Sequence, residues 1–228
     1  MTNGKEIGRV NRRDLLAVAG LVAIGAGWQA FGVRRPGLEF RDLGAAPGWR
    51  FAALGGVSGA SGADLMTIGL SQGPPALEAA QLDGVVHRDR VEGAVPVAVF
   101  SDFFCPYCRG LIGRLGARVG GPAIAITWHE LPLLGPQSVL VSRAVEAAAL
   151  QGGYAAFYAQ LLADGFRPSP AWMAKVATTA GLDGARVAQD MEGEVVAARL
   201  LASARAAKTL GFIGTPGLAV GRSAVLGA

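Results

Sequence analysis

Cys105 and Cys108 are the only cysteines in the 228-residue chain, and they stand at C-x-x-C spacing. Two thiols so placed can make and break a disulfide, or supply half of a metal site. The flanking residues favour redox chemistry. An apolar run, Val95 to Phe100, leads into the pair, and Leu111, Ile112 and Leu115 follow at helical spacing. The pattern predicts a strand, a tight turn and a helix. Cys105 then stands at the helix N-terminus with Pro106 at the first helical position, where a missing N–H costs nothing. The unpaired N–H groups and the positive dipole end favour a thiolate there, so the Cys105 pKa is expected below its free value. Cys108, one turn on, is placed to attack a mixed disulfide formed on Cys105.

The competing chemistry is metal binding. A structural zinc takes four ligands, and besides its carboxylates the chain offers two Cys and two His. His87 and His129 stand apart in apolar or mixed runs without ligand spacing. No metal and no other cofactor is expected. A zinc shared between two chains and a pair of inert buried thiols are the alternatives, and Pro106 and Tyr107 directly after a strand disfavour the second.

The rest of the chain must hold this pair in place. Its length suits one domain of good size with additional segments. The formal net charge of +4 does not make a nucleic-acid surface, because of where it lies. Six of the 21 basic residues (Lys5, Arg9, Arg12, Arg13, Arg34, Arg35) but only Glu6 and Asp14 of the 17 acids fall in the first 35 positions. Beyond them 15 of each sign remain, so no nucleic-acid partner is expected. Asn11-Arg12-Arg13-Asp14-Leu15-Leu16 opens an uncharged run from Leu15 to Val33, closed by Arg34 and Arg35. Paired arginines before an Ala/Gly-rich apolar core resemble a twin-arginine export signal, and a run of this length also suffices to span a bilayer. Residues 1–35 are therefore read as an export signal or membrane anchor that delivers the remainder to the periplasm, where a disulfide persists.

Residues 36–80 read as a Gly-rich spacer, with Leu65–Leu70 as a possible short strand and one strand or hairpin laid on the domain. The domain proper is expected at 81–228. Val85-Val86-His87 reads as a short strand, Val95–Phe103 as a buried one, Pro106 to about Val119 as a helix, and Ala123–Leu131 as a further strand. This βαβ unit implies parallel pairing. It also puts the cysteines at the carboxyl end of a central strand, where open α/β sheets carry their chemistry. From Pro132 to Leu210 the patterns are helical only: Ser138–Leu150, Tyr154–Ala163, Ala171–Ala180, a stretch opened by Asp183, and Glu194–Leu210 stopped by Gly211. Gly214-Thr215-Pro216-Gly217 then precedes two short strands, Leu218–Val220 and Ala224–Leu226.

Phe100-Ser101-Asp102-Phe103-Phe104-Cys105-Pro106-Tyr107-Cys108-Arg109, a helical block, and Gly214-Thr215-Pro216-Gly217 before a terminal hairpin together resemble the DsbA-like thiol–disulfide oxidoreductases of the thioredoxin superfamily. The resemblance spans about residues 81–228. It implies an α/β thioredoxin fold with an all-helical cap inserted at about 136–210, reached through Gly135-Pro136-Gln137-Ser138. It implies that Cys105 is the exposed nucleophile, Cys108 the resolving thiol, and Pro216 a cis proline abutting the disulfide. Thr215 would pair the substrate peptide as an added strand, with Pro106 and Tyr107 also on the substrate side. Two departures stand out. The position six before Cys105, commonly acidic in this family, is Val99, which leaves Asp102 and Glu130 as candidate acceptors for the Cys108 proton. The family's closing C-terminal helix is missing after the hairpin, and one face of the sheet is expected to lie bare.

These readings imply extracytoplasmic thiol–disulfide exchange on client proteins that carry thiols or disulfides, foremost dithiol oxidation, with a membrane redox partner that resets the pair. A reductase or isomerase would use the same residues, and a metal-binding protein is the non-enzymatic rival. Pro-Tyr between the cysteines resembles glutaredoxin-like sites, less oxidising than Pro-His sites, so a moderate potential is expected.

Overall fold

Side-chain alternation along the apolar run decides the architecture, because it gives one strand two buried faces. The computed structural model describes residues 38–58, 74–116, 123–164 and 169–227. Six strands form one mixed sheet: β1 (Arg41–Asp42), β2 (Arg50–Ala53), β3 (Val95–Ser101), β4 (Ile124–Glu130), β5 (Gly217–Val220) and β6 (Ser223–Leu226), in the order β1-β2-β6-β5-β3-β4. β3 pairs in parallel with β4, Ser101 opposite Glu130, and antiparallel with β5, Phe100 opposite Gly217. β5 and β6 form a hairpin, β6 pairs in parallel with β2, and β2 antiparallel with β1.

Seven helices lie among the described residues: α1 (Ala79–Val86), α2 (Pro106–Gly116), α3 (Pro136–Leu150), α4 (Tyr154–Ala163), α5 (Pro170–Thr179), α6 (Gly184–Asp190) and α7 (Glu194–Leu210). Their limits follow from local chemistry. Ser169 caps α5 by accepting the Trp172 N–H at 3.2 Å, Asp183 caps α6 by accepting the Arg186 N–H at 3.0 Å, and Gly211 ends α7 in the left-handed region at φ 75°.

Val97 and Val99 face one core with Trp128 of β4, Ile112 of α2 and the apolar sides of α3 to α6. Ala98 and Phe100 face the other, with Phe51, Phe212, Ala224, Leu226, Leu82 and Val86 of α1, and Ala206, Ala207 and Leu210 of α7. Successive strand residues thus serve opposite layers. Phe100 is fully buried, stacked on His129 at 4.3 Å and edge-on to Phe212 at 5.2 Å.

Two expectations need correction. Val85 and Val86 end helix α1 instead of forming a strand, because Leu82 and Val86, one turn apart, bury together on the second core. The face expected to lie bare is covered by α1 and the C-terminal half of α7. Within the segment 36–80, read as a spacer with one strand or hairpin laid on the domain, residues 41–53 form the β1–β2 ribbon that extends the sheet beyond β6, with Trp49 and Phe51 buried. The segment 1–35 and the possible strand Leu65–Leu70 lie outside the described residues. Among the described residues no helix is long and apolar enough to cross a membrane.

Both histidines are structural. His129 Nε2–H donates to the Val86 carbonyl at 3.0 Å, and its Nδ1 accepts from the Ser203 hydroxyl at 2.9 Å, tying β4 to α1 and α7. Burial and the neighbouring Arg88 push its pKa down to about 3, so the ring stays neutral. His87 stacks on Trp49 and donates to the Gly221 carbonyl at 2.8 Å.

Candidate active site

β3 ends at Ser101, and the chain must turn sharply into α2. Asp102 makes the turn. Its Oδ1 accepts from the Phe104 N–H and the Ser138 hydroxyl, each at 2.9 Å, and its Oδ2 from the N–H groups of Leu133 and Leu134 at 2.7 and 3.0 Å. One buried carboxylate therefore fixes the cysteine turn, the loop after β4 and the start of α3 together. Its main-chain carbonyl accepts the Cys105 N–H at 3.0 Å. Arg109 closes the other side, its Nε donating to the Phe103 carbonyl at 2.8 Å while its guanidinium lies over the Phe103 ring. Pro106 then opens α2, leaving Cys105 at the helix N-terminus.

Both cysteines are free thiols. The Cys108 N–H donates to the Cys105 sulfur at 3.3 Å. The Cys105 pKa is pulled down to about 5, chiefly by the hydrogen bond from the Cys108 thiol against the opposing effect of burial, with further help from Thr215, the Cys108 N–H and Ser58. Burial and the adjacent Cys105 drive Cys108 strongly the other way, so its thiol keeps its proton. One sulfur is an anion near neutral pH and its neighbour is a proton-bearing reserve.

The chain end returns to this pair. The Thr215–Pro216 peptide bond is cis. When protonated, Cys105 donates its Sγ–H to the Thr215 carbonyl, 3.4 Å away, and the Gly227 N–H holds the Pro216 carbonyl at 2.8 Å. Cys105, Cys108, Thr215 and Pro216 thus come together, while Pro106 and Tyr107 stand exposed on the rim. One expectation fails: Cys105 is not the exposed member of the pair. It is 0 % exposed, as is Cys108, because the Thr215 loop and the Ser58 segment lie against it.

The candidate proton acceptors separate cleanly. Asp102 is 0 % exposed and its carboxylate is committed to four donors. Glu130 is equally buried, accepting from Tyr154 at 2.8 Å, Ser142 at 3.1 Å and Ser101 at 3.4 Å. Burial outweighs the Tyr154 bond and raises its pKa to about 8. Val99 is buried in the core facing α2, and Glu130, on the neighbouring strand, belongs to that same layer. Sequence reasoning missed Ser58, Tyr154, Tyr158 and Glu146, which holds a buried carboxylate between Arg88 and Arg199 at 3.5 Å from each. The side-chain hydrogen bonds of Ser58, Tyr154 and Glu146 span 24 to 157 positions of the chain, and no local spacing announces them. Among the described residues no three His, Cys, Asp or Glu side chains gather to hold a metal ion.

Residues 96–228 match the DSBA-like thioredoxin domain. The chain belongs to this family. The DSBA-like fold is also that of its structural neighbours. A thioredoxin-like oxidoreductase from Silicibacter pomeroyi DSS-3 is 32% identical with a TM-score of 0.56, over 63% of this chain and 88% of that one. The thiol-disulfide exchange protein alpha-DsbA2 from Wolbachia pipientis is 18% identical with a TM-score of 0.58, over 65% and 86%. The catalytic domain of Proteus mirabilis ScsC is 19% identical with a TM-score of 0.53, over 65% and 88%. No curated protein matches the chain. As a DSBA-like protein it is a thiol–disulfide oxidoreductase built on a thioredoxin fold with an inserted helical cap.

Proposed function

We propose that this DSBA-like enzyme oxidises pairs of thiols in client proteins through the Cys105–Cys108 pair. The observation that carries this reading is the asymmetry of the two sulfurs, one stabilised as a thiolate and the other kept protonated. A thiolate that is stable when reduced is a good leaving group, and its pair is readily reduced.

In the oxidised enzyme a client thiolate attacks Cys105 Sγ, the Cys105–Cys108 bond breaks, and the Cys108 sulfur takes a proton as it leaves. The client's second thiolate attacks the client sulfur of the mixed disulfide and expels Cys105 as its stable thiolate. The client has lost two electrons and two protons, and the enzyme pair has gained two electrons. A disulfide on a membrane partner reverses the steps on the enzyme: the Cys105 thiolate attacks it, and Cys108 gives up its proton and closes the bond. Glu130, titrating near 8 on the face where α2 packs, is the buried acid suited to exchange that proton. The hydroxyl of Tyr158 feels the charge of both Glu130 and Cys108. Thr215, next to the sulfur, offers its backbone N–H and carbonyl to an extended client strand, and Pro106 and Tyr107 line the approach.

At pH 7 the thiolate stabilisation realised is the interval from about 5 to 7, roughly 3 kcal/mol or roughly 60 mV. That supports a pair more oxidising than an unperturbed dithiol, which favours oxidation over reduction or isomerisation by the same residues. The basic, apolar segment 1–35 supports a place outside the cytoplasm, as signal or anchor. The test is trapping: Cys108→Ala leaves Cys105 joined to clients as mixed disulfides. An absence of trapped species, or a reduction potential near that of a strong reductant, counts against oxidation.

A further inference from the structure

The place that the proposed function gives to a client strand is held in this structure by the chain itself. After β2, the Leu54 N–H donates to the Leu226 carbonyl at 2.7 Å, and the segment then crosses to the Thr215 loop. There Ser58 and Thr215 exchange both backbone hydrogen bonds, each 2.8 Å, as an isolated antiparallel bridge. Both backbone groups of Thr215 that a client strand needs are engaged. The approach is close: a Cβ on Gly214 would lie 2.9 Å from the Ser58 carbonyl oxygen, and one on Gly227 2.6 Å from that of Gly55. Glycine at both positions lets the segment lie down.

The same bridge reaches the nucleophile. The Thr215 carbonyl that accepts the Ser58 N–H lies 3.4 Å from Cys105 Sγ, and the Ser58 side chain helps to lower the Cys105 pKa. Cys105 has no exposed surface, and a sulfur without open surface cannot meet a client sulfur. Serine is cysteine with oxygen in place of sulfur. Ser58 therefore presents a client-like backbone and a client-like side chain that cannot be exchanged.

We propose that residues 54–58 are a built-in client mimic, an intrachain strand held on Thr215 with Ser58 in the place of a client cysteine, which must leave before a client pairs and Cys105 reacts. This rests on the reading of Thr215 as the client's backbone partner. Leu54 and Val57 remain 41% and 40% exposed, so few apolar contacts hold the strand down. A client that offers the same backbone bonds with more buried side-chain area displaces it. Apparent client affinity is lowered by the fraction of enzyme in the closed form.

Two variants test this. In Ser58→Cys/Cys108→Ala treated with glutathione disulfide, the sulfur introduced at position 58 bonds to Cys105. The two thiols give two electrons and two protons to one glutathione disulfide, releasing two molecules of glutathione. Intact mass and thiol titration read the product, and a protein carrying only glutathione on Cys105 overturns the proposal. Ser58→Pro removes the N–H that Thr215 accepts. Iodoacetamide alkylation of Cys105 in the Cys108→Ala background is expected about tenfold faster with it, and the KM for a dithiol peptide in the otherwise native enzyme about tenfold lower. An unchanged value of either overturns the mimicry. A cross-link with no dithiol peptide oxidised by any form fails the client-oxidation reading itself, and the mimicry with it.

Discussion

Cys108 donates its backbone N–H to the Cys105 sulfur, 3.3 Å away across the first turn of α2. A thiolate accepts that bond better than a thiol, so the pair couples protonation to folding. The folded Cys105 pKa of about 5 lies below the ordinary value of 9.0. The unfolded chain therefore holds one more proton between these limits, and the reduced protein gains stability as pH rises through the window. It loses that stability as pH falls from 9 towards 5. The oxidised protein has no thiol to titrate and lacks the slope. Urea unfolding of both forms is expected to show the reduced form gaining roughly 2 kcal/mol on the oxidised form between pH 5 and pH 7. Parallel curves would remove the lowered pKa from the mechanism.

Glu130 carries the opposite slope. Its folded pKa of about 8 lies above the ordinary 4.5, with burial as the main cause. The folded state holds the extra proton between these limits, so this contribution is full below about 4.5 and is lost as pH rises through about 8. Glu130→Gln keeps the shape and cannot titrate. The stability of Glu130→Gln relative to the native protein should therefore increase with pH across that window. The native rate of closing the Cys105–Cys108 disulfide from a mixed disulfide should rise towards pH 8, and the variant should lose that limb. An unchanged rate profile would assign Glu130 to structure alone.

Much of this arrangement can be read from residue patterns, and what cannot be read has a physical reason. β3, β4, the helices from α2 to α7 and the terminal hairpin follow from periodicity and from stop signals such as Gly211, because each carries its own apolar pattern and local end signals. The Val85–Val86 pair misleads because β-branched residues favour strands, whereas burial of Leu82 and Val86 on the second core decides for helix. The β1–β2 ribbon is short and bordered by glycines, so its strand character comes from pairing with β6, about 170 positions away. The closure of the site is least legible. That Asp102 is a buried brace, and that Ser58 covers Cys105, depend on hydrogen bonds across tens to more than a hundred residues.

Asp102 makes a direct prediction about that brace. Asp102→Ala strands three backbone N–H groups and the Ser138 hydroxyl around a small apolar side chain. Unsatisfied buried donors carry their desolvation penalty, and the expected loss is about 3–5 kcal/mol by denaturant unfolding. Asp102→Asn retains one acceptor oxygen and should lose less. A loss under about 1 kcal/mol for the alanine variant would mean that water or a rearranged loop replaces the carboxylate.

Gly217 and Phe212 set the seat of the proline loop. A Cβ on Gly217 would come within 2.6 Å of the Phe212 ring, which is buried edge-on to Phe100. The ring has little room to retreat, so Gly217→Ala is expected to lose about 1–3 kcal/mol through overpacking. Because Gly217 follows Pro216 directly, the displaced backbone also moves the Thr215 carbonyl away from Cys105 Sγ, and oxidation of a dithiol peptide should slow with the loss of stability. Phe212→Leu removes part of the ring that the new methyl meets. The double variant is then expected to lose less stability than the two single losses combined, the sign of a direct contact. Strictly additive losses in thermal or urea unfolding would show that the strain lies elsewhere in the hairpin.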